Sequence, residues 1–323
     1  MIRKAGICIL VMVVSMHAQQ RVDTLSTRQV GPGCMHYRMV IPEIPWAINV
    51  LTVDLQNPHI RMQSVKANDL LEGYEGTSSM AYRNSHQGHR VVGAVNGDFY
   101  ASGGIPINTQ VIDGEILKQP YRSSTLGFDG QNHPVISRVT FYGQIFTDSS
   151  SYWISAVNAT RLSHQMILYN RFMGESTATN QWGSEISLRP LEEWAVNDTL
   201  RMVVEQKQSG VGDMTIADGQ VVLSGHGNAA AFLTDETEIG DTLRISLRLH
   251  PSLPKITQLM GGYPRIVNDG TNYAQSGYYA EGGPSHTFAR HPRTAAGFSA
   301  DSTILYLITV DGRQEISKGM TLP

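Results

Sequence analysis

"TQVIDGEILK", residues 109–118, decides how the fold is read. Val111 and Ile112 lead into Asp113-Gly114, and Ile116 and Leu117 lead out of it. Two adjacent residues that tolerate positive φ close a two-residue hairpin, because the twist of that turn matches the twist of its strands. The same dipeptide recurs at Asp129-Gly130, Asp218-Gly219, Asp269-Gly270 and Asp311-Gly312, beside or between β-prone runs such as "MTIADGQVVLS" (214–224). The chain is therefore expected to be rich in antiparallel strand pairs. Further strands are predicted at 46–55, 59–67, 90–95, 242–249 and 303–310. Helical signals are fewer: Thr77-Ser78-Ser79 caps a short helix through Met80, Ala81 and Tyr82, and Asn228 to Leu233 forms another. Strands outnumber helices and do not alternate with them. The expected class is α+β, mainly antiparallel β-sheets with a few helices.

The chain has 323 residues, 41% hydrophobic and 16% charged, enough for one large core. A formal net charge of -3 and the absence of any Lys/Arg run exclude an electrostatic case for nucleic acid or an anionic membrane. A small or saccharide ligand fits better. Arg3 and Lys4 precede an apolar run from Ala5 to Met16, and Ala18 offers a cleavage site, so residues 1–18 read as a secretory signal peptide. That run is too short for a membrane span, and no other stretch approaches the roughly 18 apolar residues one requires. The mature protein is expected to be exported, periplasmic or extracellular. Cys8 falls inside the signal, which leaves Cys34 as the sole thiol and no intramolecular disulfide. Residues 19–76 read as a strand-rich N-terminal part leading into a main domain over 77–323.

"VVLSGHGNAAAFL" (221–233) imitates a dinucleotide fingerprint, with Gly225, Gly227 and Ala230 at the fingerprint positions. The helix after it meets Gly240 within ten residues, and the next strand ends at His250-Pro251 without the acid a ribose requires. A glycine-rich strand exit is the better reading. No Gly-x-Ser-x-Gly, Cys-x-x-Cys or His-Glu-x-x-His occurs, which removes the usual support for an esterase, a zinc ribbon or a zincin. His86 and His89 lie in a polar loop without a nearby carboxylate and read as solvated.

Three stretches ask for more than turn chemistry. "AVNGDFY" (94–100) puts Asn96 and Asp98 behind an apolar approach, with Phe99 and Tyr100 available as a sugar-stacking wall. "MGGYPRIVNDG" (260–270) combines Gly261-Gly262, which allow close backbone approach, with Arg265. "RHPRTAAGFSADSTILYLITVDGR" (290–313) carries Arg290, His291, Arg293 and Thr294 before one strand and Asp311 and Arg313 at the end of the next. Together they supply the carboxylates, arginines and tight turns that phosphate recognition and sugar transfer need.

These stretches, with "VIDGEIL", "IADGQVVLSGHG" and the continuation "QEISKGMTL", resemble the phosphodiester glycosidase family over roughly residues 75–323. Family members often carry Gly at the position of Asp98 and Phe at that of Tyr100. In the family "GMTL" opens a helix that leads to an Asp-Gly-Gly-Gly-Ser turn of the active site. That turn is absent from this sequence, so the domain reads as incomplete at its C-terminus, and apolar surface left uncovered there implies poor stability.

The resemblance implies hydrolysis of a sugar-1-phosphodiester, such as an N-acetylglucosamine-1-phosphodiester glycan, at the anomeric carbon. A phosphate leaving group is a weak base, so the site needs an arginine clamp and a carboxylate more than a strong acid. Asp98 and Asp311 are the candidate catalytic carboxylates. Arg293, then Arg313, are candidates for the phosphate, and Asn96, Tyr100, Gly262, His291 and Thr294 complete the binding set. Asp311 also suits its Asp-Gly turn for purely local reasons. No particular cofactor is called for by the residues, and aspartates at turns would suit a divalent cation such as calcium. The competing reading is a non-catalytic phosphoglycan-binding or exopolysaccharide and cell-envelope assembly protein.

Overall fold

The computed structural model describes residues 21–322 except Arg122, Pro254 and Pro284. The signal-peptide reading of residues 1–18 lies outside the described residues. Among the described residues, three large, mainly antiparallel sheets, a two-stranded hairpin (Val267–Asn268 with Thr271–Asn272) and three short α-helices make up the fold, so the α+β, mainly β class holds. The first sheet has five strands in the spatial order Asp23–Gly31, Cys34–Ile41, Trp46–Asp54, Ile304–Val310 and Arg293–Phe298. Its middle ladder joins chain segments some 250 residues apart, from Ile48 against Val310 to Asp54 against Ile304. The second sheet has eight strands and is built around Ser184–Pro190, Thr199–Ser209, Val221–Gly225 and Thr242–His250. Its short edge pair, Ala156–Val157 with Met166–Tyr169, is the one parallel pairing among the described strands. In the third sheet Glu115–Lys118, Gln110–Ile112, Ile256–Gly261, Ser124–Asp129 and Pro134–Arg138 follow one another.

The main core lies between the second and third sheets and gathers Val111, Ile116, Ile186, Leu223, Ile245 and Leu259. Each such side chain contributes about 1.5–3 kcal/mol by leaving water. The helix Asn228–Asp235 closes one side with Ala229, Phe232 and Leu233. A second cluster, with Cys34, Val53, Leu305 and Phe128, binds the first sheet to the third. Burial, and after it the charge of Asp54, pushes the Cys34 thiol up, as befits a core residue.

Asp113-Gly114 and Asp269-Gly270 close two-residue hairpins with φ of 51° and 79°, and of 48° and 72°. The other three pairs do not. Asp129 begins a longer loop, and its carboxylate accepts from the amides of Gln131 and His133. After Asp218-Gly219, Val221–Gly225 inserts between Met166–Tyr169 and Ser184–Pro190, so "MTIADGQVVLS" is no hairpin. Both of these partners are antiparallel, which rules out a dinucleotide-binding βαβ unit at this glycine-rich exit.

Two predicted strands are also absent. Residues 59–67 alternate between core and surface as a strand would, but side chains satisfy their backbone: Met62 N donates to Asn132 Oδ1 and Ser64 N to Gln258 Oε1, both at 3.1 Å. Residues 90–95 cross the face of the first sheet instead of extending it. Gly93 lies so close that a Cβ there would come within 2.4 Å of Leu51, and Val92 and Val95 pack on the second cluster. The predicted helices form as Thr77–Arg83 and Asn228–Asp235, although Gly76 and not a hydroxyl residue stands at the first N-cap.

Gly114 and Gly270 share one backbone conformation in two settings. A Cβ on Gly114 would lie 2.5 Å from the Trp194 carbonyl oxygen, whereas one on Gly270 would meet nothing within 4 Å. Gly270→Ala is expected to cost about 1–2 kcal/mol for the left-handed backbone alone. Gly114→Ala should cost clearly more, and urea denaturation of the two variants tests the difference.

Candidate functional site

Asp98 has φ of 55°, and its chain turn buries the carboxylate. Oδ1 accepts from Phe99 N at 2.7 Å and Asn108 Nδ2 at 2.6 Å, and Oδ2 accepts from Asn108 N at 3.0 Å. These bonds tie the "AVNGDFY" corner to the start of the Gln110–Ile112 strand. They also lower the carboxyl's pKa, but burial dominates and raises it. Lys118 attracts the same carboxylate, and burial lowers the lysine's own pKa. Asn108 is 1% exposed, and its Oδ1 has no hydrogen-bond partner among the described residues.

The glycine pair of the second stretch meets this corner at Gly261. A Cβ there would come within 2.2 Å of Asn108 Cβ and 3.2 Å of Asp98 Oδ1. Gly262 has open space on its Cα, and its N–H donates to Ser124 O at 2.9 Å. The aromatic wall splits in two. Phe99 turns inward, its ring 4.9 Å from that of Tyr263. Tyr100 turns outward, 65% exposed, with its ring 5.6 Å from an equally exposed Tyr74.

The third stretch reaches the first through one hydrogen bond. Thr294 Oγ1 donates to Asn96 Oδ1 at 2.7 Å, across 198 residues of sequence. Beside it Arg293 pairs with Val310 in the sheet, which sets Asp311 at the same end. The Arg293 guanidinium is engaged by backbone: it donates to Met320 O, Thr287 O and Ala289 O at 3.0, 3.3 and 3.0 Å. Burial lowers its pKa. Arg313 instead donates from Nη2 to His291 Nδ1 at 3.0 Å. A guanidinium can only donate, so Nδ1 is the acceptor and a neutral His291 carries its proton on Nε2.

Asp311 is held by its main chain, with N donating to Ala47 O at 3.0 Å and O accepting from Ser317 Oγ at 2.6 Å. Its carboxylate makes no hydrogen bond or ion pair among the described residues. Asp98 and Asp311 are thus held in opposite ways, one by its carboxylate and the other by its backbone. No group of three or more His, Cys, Asp or Glu side chains converges as a metal site among the described residues.

Sequence reasoning did not single out Asn108, Lys118, Tyr263 or Glu281. Asn108 directly precedes a strand and could have been suspected as a turn residue. The other three acquire their neighbours only through tertiary packing.

Residues 192–323 match the sequence model of the phosphodiester glycosidase family. The match takes in Gly262, His291, Arg293, Thr294, Asp311 and Arg313 and begins beyond Asn96, Asp98 and Tyr100. No curated protein matches the chain. Among solved structures, a hypothetical protein from Synechocystis has a TM-score of 0.68 at 16% identity, covering 93% of this chain and 54% of its own. A Burkholderia pseudomallei K96243 protein, described as a candidate exported protein, has a TM-score of 0.59 at 19% identity, covering 86% of this chain and 64% of its own. Both show likeness of fold, and this chain spans less than two thirds of either. No helix among the described residues is long and apolar enough to cross a membrane.

The folded state holds the Asp98 proton more tightly than the unfolded chain, because burial raises this carboxyl. The contribution of Asp98 to stability therefore falls as pH rises from about 4, the ordinary aspartate value, through the raised folded one. The stability difference between the protein and Asp98→Asn should change with pH in that window. Urea denaturation across pH 4–7 measures it, and a constant difference would contradict the assignment.

Proposed function

We propose that the chain hydrolyses a sugar-1-phosphodiester, of the N-acetylglucosamine-1-phosphodiester kind, at the anomeric carbon, releasing free sugar and a phosphomonoester. The observation that supports this reading is the Thr294–Asn96 hydrogen bond, because it joins the family-matching stretch, at Thr294, to the "AVNGDFY" corner. In this reading Asp311 supplies the reactive carboxylate, since its oxygens are unengaged among the described residues. It takes a proton from water as the water oxygen bonds to the anomeric carbon. The bond from that carbon to the phosphate oxygen breaks, and the electron pair leaves with the phosphate. A phosphate leaving group needs little protonation, and the proton on Asp311 then returns to solvent.

Arg313 is the phosphate donor of choice, because Arg293 spends its guanidinium on three carbonyls and shapes the wall. His291 Nε2–H, Asn96 and Thr294 donate to or orient sugar hydroxyls, and Tyr100 offers an exposed ring for stacking. Asp98, with three accepted hydrogen bonds, fixes the corner and its charge. Those same bonds favour the second reading, a site that holds a phosphoglycan without cleaving it.

Hydrolysis of an N-acetylglucosamine-1-phosphodiester in oxygen-18 water separates the cases. Label in the sugar is expected; label in the phosphate would mean a phosphodiesterase, and binding without product the second reading. Asp311→Asn should lower turnover by about 10²-fold or more with an unchanged fold. Full activity in that variant would remove Asp311 from the mechanism.

A further inference from the structure

Residues of the third sheet and of the helix Ala274–Glu281 line an open polar cavity of about 330 Å³. Its lining includes Ser124, Ser137, Arg138, Arg265, Tyr273 and Glu281. The size falls within the range of small-molecule sites, but such sites are usually mostly apolar. Here two guanidinium groups face one carboxylate, and that carboxylate is already committed. Glu281 accepts from Ser124 N at 2.7 Å, Ser124 Oγ at 2.8 Å and Arg265 N at 3.0 Å.

Arg265 is fixed in place, donating to Asn268 Oδ1 at 2.9 Å and Ile136 O at 2.7 Å. It meets no carboxylate within ion-pair distance among the described residues, so two of its five N–H groups are used and its charge is not neutralised. Arg138 approaches from the neighbouring strand and donates to Ala280 O at 3.2 Å. The Tyr273 hydroxyl has no hydrogen-bond partner among the described residues. The lining is therefore rich in donors, carries the unneutralised Arg265 charge, and lies between a sheet and a helix. Such a lining selects an oxyanion, which guanidinium groups bind with geometry as well as charge.

We propose that this cavity is a binding site for a sugar unit bearing an oxyanion, a phosphate or a carboxylate, and that it receives the leaving-group side of the substrate. The second half of that statement rests on the proposed hydrolysis; the first does not. Continuity with the Asp98 corner comes through the Gly262 N to Ser124 O hydrogen bond and through Tyr263, whose ring packs on Phe99. Burial, then the charges of Asp98 and Glu281, raise the Tyr263 phenol's pKa, so one side chain feels both carboxylates. The corner and the cavity are thus tied to the same strand end, which is the ground for assigning the cavity to the leaving-group side.

Titration calorimetry of the full chain with glucose 6-phosphate, glucuronate and neutral glucose tests the site without turnover. At least one oxyanion should bind while glucose does not, and the stronger of the two identifies a phosphate or a carboxylate specificity. Arg138→Met should weaken that binding about ten-fold or more, the loss expected for a charge-assisted hydrogen bond, whereas Asp311→Asn should leave it within two-fold. Amide shift changes at Ser124, Ser137 and Asn268 in the unsubstituted protein locate the ligand even if Arg138→Met folds poorly. No binding of either oxyanion at millimolar concentration, or shifts confined to His291 and Arg313, would overturn the proposal. Binding here without hydrolysis of any phosphodiester would instead count against the catalytic reading alone.

Discussion

The ladder between Trp46–Asp54 and Ile304–Val310 is the contact on which the rest of the structure depends. It joins chain segments some 250 residues apart in sequence, and its ordering entropy is recovered only when the second apolar cluster closes on the third sheet. With that ladder formed, Arg293–Phe298 pairs outside it, and Thr294 arrives opposite Asn96. The candidate site is a product of this closure. None of its halves contains both the Asp98 corner and the arginines of the third stretch.

Part of this was legible in the sequence, for reasons that can be named. Asp113-Gly114 announced a hairpin because both residues needed positive φ between two apolar runs, and the structure has it. Asp218-Gly219 carried the same local chemistry but follows a segment that forms only an isolated bridge, so the same dipeptide ended in a different topology. Residues 59–67 misled through a correct alternation. Their backbone groups bond to Asn132 and Gln258 side chains, and no short-range pattern distinguishes that from a strand. At the candidate site, residue type and family likeness together singled out Asn96, Asp98, Thr294 and Asp311. Asn108, Tyr263 and Glu281 acquire their importance from neighbours more than a strand away and leave no comparable trace.

The two candidate carboxylates illustrate how one residue type takes two roles. Asp98 is buried with both oxygens bonded, and its charge is set against desolvation. Asp311 leaves its oxygens open while its main chain is fixed to Ala47 and Ser317. A rigid backbone under an open side chain would suit the part proposed for Asp311, because the ordering is done during folding.

Arg293 has a consequence of another kind. Its guanidinium gathers the carbonyls of Thr287, Ala289 and Met320, while the Trp46 indole N–H donates to Gly319 O at 2.9 Å. These bonds tie down the last described segment together with Arg290 on Gly319 O and the main-chain bonds of Lys318, Met320 and Leu322. Any event that reseats that segment changes the polarity around a half-buried tryptophan, which makes Trp46 a built-in optical reporter of the loops bordering the site.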